Sequence, residues 1–373
     1  MIEKVLRHGL VCGSFVAALA IASGAAAKKP DFGSGSVLAP IPAEASWCAG
    51  EPGCNGGFPE GIVVDHNRVY VAGPATFGTA GKGPSVVTVL KRSNGDLITE
   101  IPIEGEATAF EHALSGITVD GDGDVYALST QLGVVRIERH GNDYTQSAHS
   151  PPLPDLPVCV PAGPTPCSPT FVDFPPLSNE MTFDEDGNLY VTDSLQATIF
   201  KVPACGGSIE PWFSSPLLAG NLGAPLPFGV NGIKISPDRE HLYFIVSFDP
   251  LDVTKGNVYR LPLDSPAEAD LELFHAFDGG VIPDSLAFGR SGNMYVTLAG
   301  SSQIAVLDPS GEEIARISEP TGSAIPLDNP ATMAFDDTSK SLLVTNHAIF
   351  GDPSHFAVLS IYVGEKGDPA PEP

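Results

Sequence analysis

Six positions of the chain, each just before a short apolar segment, have residue types that could bind a metal ion. We call these six residues the column; in register they are Glu60, Ser115, Asn179, Asn231, Asp284 and Ala331. Each is followed by a turn and a second apolar segment that usually contains tyrosine, as in Met294-Tyr295-Val296. If the repeats surround an axis, equivalent side chains converge on it. The column is therefore the first candidate for a functional site.

Four column members carry oxygen donors that suit a hard cation: Glu60, Asn179, Asn231 and Asp284. Two carboxylates and two amides give a charge of about −2, which matches a divalent ion and leaves coordination sites for water or substrate. Calcium fits this set best, because zinc prefers imidazole or thiolate and magnesium demands a tighter octahedral shell. The alternative is that these polar residues only cap strand ends.

A cation at this position would polarise a substrate carbonyl while a carboxylate takes a proton from the attacking water. Asp284 is the first candidate for the proton acceptor and Glu60 the second, although a bound cation lowers the basicity of its ligands. His112 and His347 are further candidates, because in antiparallel strands the end of one lies beside the start of the next. The alternative for each histidine is an ordinary loop hydrogen bond. The sequence contains no serine-hydrolase elbow, Walker loop or His-Glu-x-x-His motif.

The elements that must position the column are predicted to be β-strands. Column positions are 47 to 64 residues apart, which fits one four-stranded blade per repeat. Helical periodicity is almost absent, and 40 glycines and 36 prolines suit many tight turns. The sequence thus predicts an all-β, six-bladed β-propeller. The sixth repeat lacks a fourth strand, and we expect Ser36 to Ile41 to supply it, because an open ring would leave unpaired edges.

Two other features are interpreted structurally. Aspartates open the turns between first and second strands, where they can accept backbone N–H bonds; they are Asp65, Asp120, Asp184 and Asp336. The long insertion 150–176, rich in proline, is expected to fold over the face where the column opens, and a plain solvated linker is the alternative.

The ends and the charge of the chain predict an exported protein. Residues 1–27 have the basic start, short apolar stretch and small-residue end of a signal peptide. The propeller is expected to span residues 28–363, with a disordered tail at 364–373. A net charge of −26 argues against nucleic acid and anionic lipid as partners. We expect a monomer that is secreted or periplasmic, without membrane insertion.

Cysteine spacing is compatible with local disulfides in an oxidising compartment. Cys48 with Cys54, and Cys159 with Cys167, would each close a short loop, which leaves Cys205 alone. A zinc site is the rival interpretation, but the spacing of zinc ribbons is missing.

Several motifs resemble the six-bladed calcium propellers of the gluconolactonase and regucalcin (senescence marker protein) family. They are Phe58-Pro-Glu60-Gly, Asn179 before Leu189-Tyr-Val-Thr-Asp193, Asn231-Gly-Ile, Pro283-Asp284 and Asn329-Pro330 before Leu343-Val-Thr-Asn346. By matching positions, Glu60, Asn179, Asn231 and Asp284 correspond to the family's metal ligands.

The resemblance implies calcium-dependent hydrolysis of small lactones or esters, with Asp284 as both ligand and candidate base. Paraoxonases and diisopropyl fluorophosphatases are more distant relatives, and strictosidine-synthase-like propellers of the same superfamily use no metal. This chain has Asn179-Glu180 where many relatives have Asn-Asp, which leaves its substrate open. A propeller that is braced by calcium and binds a ligand or partner without catalysis is the alternative function.

Overall fold

The computed structural model describes residues 29–46, 56–264 and 266–369, and within them twenty-four strands form six four-stranded antiparallel sheets. In chain order the strands are β1 (Gly35–Pro40), β2 (Ile62–Asp65), β3 (Arg68–Gly73), β4 (Val86–Lys91), β5 (Leu97–Pro102), β6 (Leu114–Val119), β7 (Val125–Ser129), β8 (Gly133–His140), β9 (Asp143–Ala148), β10 (Ser178–Phe183), β11 (Leu189–Asp193), β12 (Thr198–Val202), β13 (Glu210–Ser214), β14 (Val230–Ile235), β15 (His241–Val246), β16 (Gly256–Pro262), β17 (Glu272–Phe277), β18 (Pro283–Phe288), β19 (Met294–Leu298), β20 (Gln303–Leu307), β21 (Glu313–Ile317), β22 (Pro330–Asp336), β23 (Ser341–Asn346) and β24 (Ala357–Tyr362). The helical elements of the described residues are 3-10 turns at Pro216–Leu218, Glu268–Asp270, Ala299–Ser301 and Pro353–His355.

Each sheet is one blade made of strands that are consecutive in the chain. Blades one to five are β2–β5, β6–β9, β10–β13, β14–β17 and β18–β21, paired in order. The first strand of each blade contacts the first strands of the neighbouring blades, and this chain of contacts returns from β22 to β2. The first strands therefore line a central axis. The predicted six-bladed β-propeller is confirmed.

The sixth blade closes the ring with strands from both ends of the domain. Its order is β1-β24-β23-β22, and β1 pairs antiparallel with β24 from Gly35 opposite Ile361 to Pro40 opposite Ala357. The predicted closing strand, Ser36 to Ile41, is thus confirmed to within one residue at each end. Its backbone fills the edge that β24 would otherwise leave open.

Apolar alternation and turn aspartates explain why each repeat folds as it does. The buried faces of adjacent blades pack together, as Ile199 and Ile233 do between blades three and four. In the turn after β10, Asp184 Oδ1 accepts N–H bonds from Asp186 and Asn188, at 3.0 and 2.8 Å. Its Oδ2 accepts the hydroxyl of Tyr190 at 3.2 Å, which ties the turn to the second strand. These contacts agree with a structural role for this aspartate.

The column lies at β-bulges. In five of the six first strands the pairing with the second strand shifts register at the column, for example between Ser178 and Met181 and between Pro283 and Leu286. At some of these bulges a threonine of the second strand forms hydrogen bonds with the backbone of the first strand. Thr345 accepts the N–H of Thr332 at 2.9 Å and donates to the carbonyl of Glu60, in the next blade, at 2.7 Å. Bulges of this kind redirect side chains near functional sites.

Insertion 150–176 packs on the turn that follows β11. Gln196 in that turn accepts the N–H of Leu156 at 2.6 Å and donates to the carbonyl of Pro154 at 3.0 Å. Because Asp193 at the end of β11 pairs with Ser178 at the start of β10, this turn lies at the column end of the blade. The insertion therefore contacts the face where the column opens, as the sequence suggested.

Residues 364–369 differ from the disordered tail that was predicted for 364–373, because they are bonded to the turns between first and second strands. Glu365 accepts the N–H of Ser291 in one such turn at 3.0 Å and the hydroxyl of Tyr295 in the strand after it at 2.7 Å, and Asp368 pairs with Arg239 in another turn at 2.9 Å. Since these turns lie at the end of the blades opposite to the column, this segment straps that face across several blades. The polar composition of this segment favours exposure to solvent, but its polar groups form hydrogen bonds and ion pairs with the propeller.

One predicted disulfide is present and other predictions lie outside the described residues. Cys159 and Cys167 are bonded, and Cys205 is an exposed free thiol. Cys48, Cys54, the predicted signal peptide 1–27 and residues 370–373 fall in the part that the structure does not describe. In the described part, no helix has the length and apolar character needed to cross a membrane.

Candidate functional site

Two column residues are in direct contact across neighbouring blades. Nδ2 of Asn231 donates to Oδ1 of Asp284 at 2.5 Å and to Oγ of Ser247 at 2.9 Å. Asn231 and Ser247 are 4% and 1% exposed, so the amide is held rigidly at the start of β14. Both bonds use the amide nitrogen, which leaves the carbonyl oxygen of Asn231 available as a donor to a cation.

Glu60 is buried and lies beside His347. His347 Nε2 is 2.8 Å from the carbonyl oxygen of Ala75 and 3.5 Å from Oε2 of Glu60. Since a carbonyl only accepts, Nε2 carries the proton and donates it to Ala75. Burial lowers the pKa of His347 to about 4, so the imidazole is neutral at pH 7.

Glu180, which follows the column residue Asn179 in the bulge of β10, brings a third carboxylate to the site. It is 4% exposed, accepts the hydroxyl of Ser285 at 2.8 Å and forms an ion pair with Lys234. Sequence reasoning noted Glu180 only as a departure from the family motif and missed Lys234 and Ser285. A lysine within the apolar pattern of a first strand was the signal available for this contact.

The electrostatics show that these carboxyl groups share one buried site. Burial raises the pKa of Asp284 to about 7, with the Glu180 charge adding to the rise and the Asn231 bond opposing it. Burial also raises the pKa of Glu60 well above its ordinary value of 4.5, and the charges of Asp284 and Glu180 raise it further. Two buried acids and a free amide oxygen form a donor set that fits a calcium ion, because a hard divalent cation offsets their charge.

Asn179 is half-buried at the bulge of β10, where its carbonyl lies against Gly116 of the neighbouring first strand. The structure therefore brings Glu60, Asn231 and Asp284 into one electrostatic cluster, and places Asn179 beside Glu180 at the same level of the ring. The remaining column members are buried: Ser115 donates to the carbonyl of Ser178 at 3.2 Å, and Ala331 has no polar side chain.

His112 occupies a different environment from His347. Its Nδ1 lies 2.9 Å from the carbonyl of Phe110 and its Nε2 2.9 Å from the carbonyl of Gly83. The ring thus lies between the carbonyls of two loops, and the nitrogen that carries the proton donates to one of them. This geometry gives His112 a role in joining two loops at the mouth of the channel. A catalytic role for His112 stays a prediction from the sequence.

Comparison with known proteins matches part of this chain to a family. Residues 227–348 match the family described as SMP-30/Gluconolactonase/LRE-like region. The matched region contains Asn231, Asp284 and His347, and it confirms the resemblance that the sequence motifs indicated. A comparison with curated proteins found no match.

Three solved structures illustrate the similarity in fold. A calcium-binding protein, regucalcin, from Agrobacterium tumefaciens is 18% identical, with a TM-score of 0.57 over 92% of this chain and 97% of that chain. A luciferin-regenerating enzyme is 15% identical, with a TM-score of 0.54 over 88% and 97%. A gluconolactonase from Xanthomonas campestris is 15% identical, with a TM-score of 0.51 over 90% and 98%. At these identities the likeness shows the propeller fold.

Proposed function

Because residues 227–348 form an SMP-30/gluconolactonase/LRE-like region, we propose that this protein is a calcium-dependent hydrolase of small lactones or esters. The ion would be held in the central channel by Glu60, Asn179, Asn231 and Asp284. The observation that carries the proposal is the Asn231–Asp284 bond inside a buried cluster of acids. Regucalcin, one of the similar structures, is named as calcium-binding, which supports the choice of ion.

The residues of the site have distinct roles in such a reaction. A bound calcium ion supplies Lewis-acid polarisation of the substrate carbonyl. Asn231 occupies Oδ1 of Asp284, so Oδ2 is the oxygen that takes a proton from the attacking water. Ser247 holds Asn231 in the orientation that this requires. His347 stays neutral beside Glu60, and Ala75 fixes its ring through Nε2.

The test is turnover of a small panel of lactones and aryl esters by the purified protein, with and without a chelator. We expect chelation and the variants Asp284→Ala and Asn231→Ala to abolish turnover while the circular dichroism spectrum keeps its β signature. Asp96→Ala serves as a matched control, because Asp96 is an exposed carboxylate at the turn between β4 and β5. Turnover that persists in the chelated protein and in both site variants would refute the proposed reaction.

A second function, ligand or partner binding without catalysis, is favoured by apolar side chains on the loops of the column face. These loops expose large hydrophobic residues that are 55% to 91% accessible: Phe77, Phe110, Phe171, Leu251 and Phe350. Exposed apolar groups that surround one face often mark a binding surface. In that case calcium would stabilise the ring, and every substrate in the panel would remain unchanged.

We also propose that the protein acts outside the cytoplasm, in the secreted or periplasmic space. The disulfide between Cys159 and Cys167 supports this, because such bonds persist in oxidising compartments. Fractionation of expressing cells, followed by immunoblotting, tests it.

A further inference from the structure

Glu180 connects three first strands through charged and polar contacts that the metal ligands do not use. It belongs to β10 of blade three, and its Oε1 pairs with Nζ of Lys234 in β14 of blade four. Its Oε2 accepts the hydroxyl of Ser285 in β18 of blade five at 2.8 Å. Glu180 is 4% exposed, and the side chain of Lys234 is 28% exposed. The ion pair is therefore part of the channel wall and not a surface contact.

Negatively charged side chains outnumber positively charged ones around the channel. Three buried carboxylates lie close together: Glu180 and Asp284 add to the rise in the pKa of Glu60, and Glu180 adds to the rise in the pKa of Asp284. Within the described residues, Lys234 is the one lysine or arginine that pairs with any of them. Three negative charges and one positive charge leave about −2, the charge that a calcium ion balances.

We propose that Lys234 is a fixed counter-cation that sets the channel charge to suit a divalent ion and disfavours a trivalent ion. This inference rests on the proposed calcium site and adds a determinant of its ion selectivity. Lys234 would act without ligating the ion. It holds Glu180 in place and repels any cation that enters the cluster.

The size of the effect follows from the charge of the entering ion. The Coulomb energy between Lys234 and the ion is proportional to the ion's charge, whatever the separation and effective dielectric constant. Removal of the lysine charge should therefore change the logarithm of affinity for a trivalent ion by about 1.5 times the change for a divalent ion. A tenfold gain for calcium would correspond to a gain of about thirtyfold for terbium(III), which shares calcium's preference for oxygen ligands.

The experiment measures calcium and terbium(III) affinities of the full chain by calorimetry after removal of bound ions with a chelator. Lys234→Met should raise both affinities, terbium the more, whereas Lys234→Arg should leave both unchanged. Glu180→Gln should lower both, again with the larger change for terbium. The double variant, Glu180→Gln with Lys234→Met, should have a ratio of calcium to terbium affinity close to that of the unaltered protein. Lys91→Met is the matched control, because Lys91 pairs with the exposed Asp96 at the turn between β4 and β5.

The outcomes separate the two proposals. Equal changes for calcium and terbium in Lys234→Met, or no change, would overturn the role of Lys234 while the ion site stands. Failure of the unaltered chain to bind either ion would overturn the proposed calcium site and this inference with it. If Lys234→Met does not fold, the Glu180→Gln and double variants decide, because neither leaves Glu180 charged and unpaired.

Discussion

Replacement of Asp284 by asparagine should make the metal-free protein less sensitive to rising pH. The carboxyl of Asp284 has its pKa raised from 3.8 to about 7 by burial and by Glu180. Because the folded-state pKa is the higher one, the unfolded chain releases this proton first, and the fold loses stability as pH rises from about 4 to about 7. Each pKa unit corresponds to about 1.4 kcal/mol, so the loss is roughly 4 kcal/mol. The side-chain amide of the Asp284→Asn variant has no such proton to release, so the variant avoids this loss.

The assay is urea denaturation of the unaltered protein and Asp284→Asn at several pH values between 4 and 8, in the presence of a chelator. The stability of Asp284→Asn relative to the unaltered protein should increase with pH by roughly 4 kcal/mol. The neutral His347 has the opposite pH dependence, but both proteins share it and it cancels in the difference. The substitution also removes the Asp284 charge that raises the pKa of Glu60, and this change increases the relative stability of Asp284→Asn in the same direction as pH rises.

With calcium present, the unaltered protein should be more stable than Asp284→Asn, because the unaltered site gains an ion that the variant binds weakly. The exposed Asp96 provides a control, and Asp96→Asn should show no comparable trend. A difference between Asp284→Asn and the unaltered protein that stays constant across this pH range would refute the argument that Asp284 sits in a buried cluster of like charges.

Two further predictions concern the ring itself. Thr345→Val should lower the free energy of unfolding by roughly 2 kcal/mol, because it leaves the buried carbonyl of Glu60 without its hydroxyl partner. Thr254→Val, at an exposed threonine, is the control. Equal effects of the two substitutions in thermal denaturation would contradict this reasoning. Deletion of residues 364–373 should cost roughly 2 kcal/mol through lost contacts such as Glu365 with Tyr295. Calcium affinity should be retained, because the column lies at the other end of the blades, and calorimetry of the shortened chain tests this.

The architecture could be predicted because the sequence repeats its pattern. Each repeat has the same order of apolar segment, turn and second apolar segment, which contains tyrosine in five of the six repeats, so the blade count and the column register follow from alignment alone. Closure by residues near Ser36 followed from the missing strand of the sixth repeat. The tail at 364–369 could not be predicted in this way, because its contacts join residues far apart in sequence that share no repeat position.

The metal-ligand candidates were predictable for the same reason, whereas the charges beside them were not. Glu60, Asn231 and Asp284 occupy equivalent positions, so one alignment selects them together. Lys234 and Glu180 lie at different positions of different repeats, and only the packing of neighbouring first strands brings them into contact. A pairwise contact between blades leaves no periodic signal in a single sequence.

The β-bulge of β10 explains why the sequence pattern does not identify Glu180 as a residue of the site. In a regular strand, adjacent side chains point to opposite faces, so a channel-facing Asn179 would direct Glu180 into the apolar packing between blades. The register shift between Ser178 and Met181 removes this constraint. Space for the side chain comes from Gly232, where a Cβ would lie 2.6 Å from the carbonyl oxygen of Asp284 and 3.0 Å from Oε2 of Glu180. At the bulge of β10, the consecutive residues Asn179 and Glu180 both lie at the site, and Gly232 of the neighbouring blade marks where the side chain of Glu180 enters.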